Sequence, residues 1–131
     1  MKMTSIDIDI ICGLNSNFIY HYSEDSVYQY NSIKVMHKFG IAFACIYWYE
    51  NDSENQLYIS DLHVSPNRRN EGFGRVIMRL YEDIGKLYEF KSLSLFVDPD
   101  SWTKNWYSKL GFIDTKDKCD EYFTWMNKLL Y

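Results

Sequence analysis

The most informative run of apolar and polar positions lies between Gln56 and Phe90. Leu57-Tyr58-Ile59-Ser60-Asp61-Leu62-His63-Val64 is rich in strand formers, and Ser65-Pro66-Asn67 closes it, so it predicts a buried strand. Further on, Phe73, Val76, Ile77, Leu80, Tyr81, Ile84, Leu87 and Tyr88 recur at three- and four-residue steps. Arg75, Arg79, Glu82, Asp83, Lys86 and Glu89 take the other side, which predicts one amphipathic helix. Between strand and helix stands Arg68-Arg69-Asn70-Glu71-Gly72-Phe73-Gly74-Arg75, whose two glycines permit positive φ and close approach of the backbone.

The flanking patterns extend this reading. Ile6 to Ile10 alternates apolar and acidic residues as a half-wet strand does, and Gly13-Leu14-Asn15 ends it. Phe18, Tyr20, Tyr22, Tyr28 and Tyr30 also alternate like strands. Ile33 to His37 and Ile41 to Tyr49 read as two strands joined near Lys38-Phe39-Gly40, with Asn51 to Asn55 as the polar turn into the central strand. Leu93 to Val97 is another buried strand. Asp98-Pro99 reads as N-cap and first-turn proline of a helix running through Lys109, which Gly111 ends. Phe112 to Thr115 and Tyr122 to Asn127 close as a hairpin around Lys116 to Asp120. The sum is α+β, a mixed and mostly antiparallel sheet in one domain, residues 1 to 131.

Composition narrows the class. The apolar run from Ile41 to Tyr49 is too short to span a bilayer and the N-terminus lacks a cleavable signal, so a soluble protein with no membrane partner is expected. Three cysteines, Cys12, Cys45 and Cys119, have no metal-like spacing. They read as reduced thiols in a cytoplasmic protein, with no metal cofactor. The net charge is −4. Residues 1 to 60 hold three Lys/Arg against seven Asp/Glu, and residues 61 to 131 hold eleven of each. An acidic first half suits a cationic ligand or a solvated acidic face, and the lack of a basic stripe argues against nucleic acid.

A helix N-terminus with unpaired N–H groups holds an anion, and Arg68, Arg69 and Arg75 add charge around this one. No Gly-Lys-Ser/Thr follows, and the third glycine of a dinucleotide fingerprint would fall at Ile77. What stands here is R-x-x-G-x-G, formed by Arg69, Gly72 and Gly74 after a strand ending in Val64. This resembles motif A of the GNAT superfamily of acyl-CoA-dependent N-acyltransferases. Trp106-Tyr107-Ser108-Lys109-Leu110-Gly111-Phe112 is similar to the end of that family's motif B. The likeness covers roughly residues 33 to 131. Where the family usually has one or two helices, residues 16 to 32 alternate like strands, a short atypical N-terminal region.

The resemblance implies a GNAT-like sheet flanked by helices and an enzyme that uses acetyl-CoA as acyl donor. Its implied cradle is Arg69, Asn70, Glu71, Gly72, Phe73, Gly74 and Arg75, with backbone groups of Leu62, His63 and Val64 pairing the pantetheine arm as an added strand. The implied reaction is transfer of an acetyl group to a primary amine of a small cationic acceptor. A protein lysine or N-terminus, or a non-catalytic CoA-binding module of the same fold, are the alternatives, and a homodimer stays open.

An alkyl ammonium must lose a proton first, which costs about 4.6 kcal/mol at pH 7 for a pKa near 10.4. Asp61 corresponds to a position where some aminoglycoside N-acetyltransferases of the family carry an active-site Asp, as base or as counter-ion. Other members place a Glu or His where Ser60 and Tyr58 stand here. On a regular strand His63 would share a face with Asp61 and could relay a proton. Tyr107 matches the family's tyrosine that serves the leaving thiolate.

Overall fold

The computed structural model of the chain describes residues 17–118 and 120–131. The strand expected at Ile6 to Ile10, with Cys12 and Cys119, lies outside the described residues. The alternating aromatics form β1 (Phe18–Asp25) and the start of β2 (Tyr30–His37), and β3 (Ala42–Tyr49) and β4 (Gln56–Val64) complete an antiparallel meander. Helix α1 (Phe73–Leu87) crosses to β5 (Ser92–Val97), which runs parallel to β4. Helix α2 (Trp102–Lys109) then leads to the hairpin of β6 (Ile113–Lys118) and β7 (Thr124–Leu129), and β7 inserts beside β5. The order is β1-β2-β3-β4-β5-β7-β6, the expected mixed, mostly antiparallel α+β sheet.

Register puts like residues together. Ile33 faces Ile46, Ile46 faces Ile59, Leu57 faces Leu93 and Leu95 faces Met126, all buried on one side of the sheet. Ile77, Tyr81 and Ile84 of α1 belong to this same core. Each such side chain contributes about 1.5–3 kcal/mol on leaving water, so this side carries most of the fold's stability. The opposite side carries Tyr30, Tyr47, Tyr58, Phe96 and Trp125, and no described helix contributes to it.

Two helix expectations need correction. Val76 and Leu87 are 40 % and 57 % exposed, whereas Gly74, Met78 and Gly85 belong to the buried stripe of α1. At Gly85 a β-carbon would lie 2.4 Å from Leu130, so the glycine admits the C-terminal leucine. Asp98-Pro99 does not start α2, which begins at Trp102 with Ser101 as its N-cap. Residues 98 to 101 form a turn instead, in which the Ser101 N–H donates to the Asp98 carbonyl at 3.0 Å and the Asp98 carboxylate accepts from Asp100 N–H at 2.9 Å.

Candidate active site

The site is made where β4 loses a neighbour. Strands β4 and β5 pair at Gln56–Ser92, Leu57–Leu93 and Tyr58–Ser94 only, so β4 from Ile59 onward has β3 on one side and no described strand on the other. The open edge points toward the glycine turn. A backbone edge of this kind accepts an extended ligand as it would accept a strand.

Along that edge the alternation breaks. Phe43 pairs with His63 and Cys45 with Ser60, so two residues of β4, Asp61 and Leu62, lie opposite Ala44 alone. Asp61 holds φ 55 at this bulge, a left-handed conformation that Asp tolerates better than most residues. The regular strand that would have aligned Asp61 with His63 is therefore absent, and the expected alignment fails. Both are exposed. Leu62 and Val64 pack against the core, and the Val64 carbonyl accepts from Arg69 Nε at 3.2 Å.

The turn itself is built for close approach. Asn70 and Gly72 have φ of 73 and 88, and the first backbone bond of α1 runs from Val76 N–H to the Gly72 carbonyl at 3.1 Å. The amides of Phe73, Gly74 and Arg75 precede that bond and have no intrahelical partner. Around them Arg68 pairs with Glu71 and lies 5.6 Å from the Phe73 ring centroid, while Arg69 lies 5.4 Å over Trp102. Arg75, Asn70 and Glu71 are exposed.

Helix α2 closes the site from the other flank. A β-carbon on Gly74 would lie 3.1 Å from the Trp106 ring and 3.8 Å from Val64, so strand end, glycine turn and α2 converge at one point. In the sequence Trp102 carries no signal beyond its place in a helix and Trp106 stands only as the first residue of the motif B block, although their four-residue spacing on a helix places them on one face, the one the turn meets. Tyr107 is 9 % exposed, packed edge-on to Trp106 and Phe112, and burial pushes its phenol up to about 12. Tyr58 is also pushed up to about 12, by burial and then by the Asp52 carboxylate, to which it donates at 3.3 Å. Cys45 is half-buried, and burial raises its thiol.

The model of the acetyltransferase (GNAT) family matches residues 20–112, well over half of the chain. The chain belongs to the GNAT acetyltransferase family. Solved structures agree with the fold. Nourseothricin acetyltransferase is 14 % identical with a TM-score of 0.64, covering 88 % of this chain and 85 % of its own. A GNAT family acetyltransferase from Elizabethkingia anophelis with acetyl-CoA bound has the same identity and a TM-score of 0.61, covering 88 % and 99 %. PaiA N-acetyltransferase from Thermoplasma acidophilum, in complex with coenzyme A, is 16 % identical with a TM-score of 0.61, covering 95 % and 69 %. A search of the curated proteins finds no match.

Membership classes this GNAT chain with acyl-CoA-dependent transferases. Among the described residues, no cluster of His, Cys, Asp and Glu is placed to hold a metal ion, and no helix is long and apolar enough to cross a membrane.

Proposed function

We propose that this GNAT chain moves the acetyl group of acetyl-CoA to a primary amine of a small cationic acceptor. The observation that carries the reading is the parting of β4 from β5 beyond Tyr58, bordered by a glycine turn and the N-terminus of a helix of 15 residues. In this reading the amides of Gly72, Phe73, Gly74 and Arg75, with Arg69, Asn70 and Glu71 around them, hold the diphosphate. Leu62, His63 and Val64 offer backbone groups to the pantetheine arm. Arg69 exchanges the Val64 carbonyl for the incoming ligand.

The amine nitrogen attacks the thioester carbonyl carbon, the C–S bond breaks, and the thiolate leaves. Starting from the ammonium, the balance is amide plus thiol plus one proton released to solvent. Asp61 stands on the edge where the ammonium must be held and deprotonated. Tyr107 donates a hydrogen bond to the developing thiolate. Outright proton transfer from a phenol near 12 to a thiolate whose thiol titrates near 8.5 would cost about 4.8 kcal/mol, so donation without transfer is its contribution.

Calorimetric titration with acetyl-CoA, free CoA and a nucleotide lacking the pantetheine arm is the test. Micromolar binding, about −8 kcal/mol, that is lost with the arm is expected, followed by amine-dependent thiol release. Asp61→Asn keeps the side-chain shape and tolerates the same φ, and it should lower kcat/KM for amines roughly tenfold or more without changing donor binding. Absence of donor binding would sink the assignment. A protein amine is the second reading, favoured by the aromatic side of the sheet, to which no described helix contributes, and turnover of lysine peptides in preference to free amines would select it.

A further inference from the structure

A cavity of about 200 Å³ lies between the β1–β2 turn and the β3–β4 turn, lined by Tyr28, Gln29, Tyr49, Asn51, Asp52 and Tyr58. Phenol rings make much of its wall. Tyr49 meets Tyr58 with ring centroids 6.1 Å apart, and Tyr47 stacks behind Tyr58 at 5.2 Å. The Asp52 carboxylate is fixed in place, accepting from Glu54 N–H at 3.0 Å and from Gln56 N–H and the Tyr58 hydroxyl at 3.3 Å. Neither turn contains Lys or Arg, while Glu50 and Glu54 flank Asp52 in sequence. Ring faces beside a carboxylate attract an organic ammonium.

The location ties this box to the reaction. Tyr58 lines the cavity and is also the last residue of β4 that pairs with β5, so the box stands at the closed end of the parting. Asp61 follows three residues later, about 10 Å along a strand.

Resting on the amine-acceptor reading of this cleft, we propose that the box of Tyr28, Tyr49, Tyr58 and Asp52 holds a second ammonium group of the acceptor, which is therefore a flexible diamine or polyamine. One ammonium is parked against the tyrosines. The other reaches the thioester as the free amine, and only a linker long enough to span the distance serves both.

The experiment compares hexamethylenediamine, n-hexylamine and ethylenediamine as acceptors. Wild type should favour hexamethylenediamine over n-hexylamine roughly tenfold in kcat/KM, with ethylenediamine gaining nothing from its second charge. Asp52→Asn, which keeps an oxygen for the Glu54 N–H, and Tyr49→Leu at a half-exposed position should each collapse that ratio toward one. An unchanged ratio in both variants, or no ratio in wild type, overturns the proposal.

Binding is read separately, from the tyrosine ring resonances of the full chain on adding hexamethylenediamine or n-hexylamine without turnover. Acetyl-CoA binding with no amine turned over defeats the amine-acceptor reading. The box is then supported by a diamine-specific shift that Asp52→Asn abolishes, and refuted by its absence.

Discussion

In the proposed reaction Tyr107 joins packing and chemistry in one side chain. Its phenol is raised from 10.0 to about 12 by burial, so it stays neutral and able to donate at every ordinary assay pH. Tyr107→Phe should lower kcat roughly a hundredfold and leave acetyl-CoA affinity unchanged, because the lost donor matters only as charge develops on sulfur. Stopped-flow thiol release checks this, and an alkaline limb near pH 10 that Phe removes would contradict the raised value. The same shift bears on stability. The folded state favours the neutral phenol, so its contribution is complete below pH 10 and is lost, by about 2.7 kcal/mol, as pH rises toward 12. In that window Tyr107→Phe should melt with a flatter pH dependence than wild type. That Gly72 and Gly74 stand at the start of α1 and Tyr107 near the end of α2 was legible in the sequence, because each belongs to a motif of fixed spacing. The geometry of Asp61 was not, since its bulge depends on β3 supplying one residue where β4 supplies two, a fact that local alternation does not carry.

At the scale of elements, the glycine turn and α2 act as one unit through Gly74 and Trp106. Gly74→Val should weaken acetyl-CoA binding at least tenfold and also lower Tm, because the new side chain meets the Trp106 ring. Adding Trp106→Leu makes room. Tm should then recover while affinity stays low; recovery of both would make Gly74 a packing glycine and nothing more. Among the described residues most strands and helices were readable, since register-matched apolar residues recur at their proper periods, although β6 runs to Lys118 where a loop from Lys116 was expected. The start of α2 was misread for a definable reason: Asp98 and Pro99 suit a helix cap and a tight turn equally, and the carboxylate bonds the amide two residues on. The exposure of Val76 and Leu87 was likewise hidden, because periodicity gives a stripe and the neighbours decide its edges. On the far side of α2, Asp114 accepts from Lys116 N–H, Lys104 and Thr124, which holds its carboxyl well below the usual carboxylate range and ties α2 to the closing hairpin.

For the molecule as a whole, the family was legible from two short blocks in the correct order, whereas the box proposed for the acceptor was not, since Tyr28 of the β1–β2 turn joins Tyr49, Asp52 and Tyr58 of the β3–β4 hairpin only when the two turns lie side by side. The parting of β4 and β5 has a further consequence for how the protein breathes. A four-strand half, β1 to β4, and a three-strand half, β5 to β7, are joined in the sheet by three residue pairs, with α1 running from one to the other. Amides of β4 past Tyr58 that face the gap should therefore exchange with deuterium much faster than those of Leu57 or Leu93. Donor binding should slow them selectively, and the protection should spread into β5. Acetyl-CoA would then act as one more strand beside β4, present only while the enzyme is loaded.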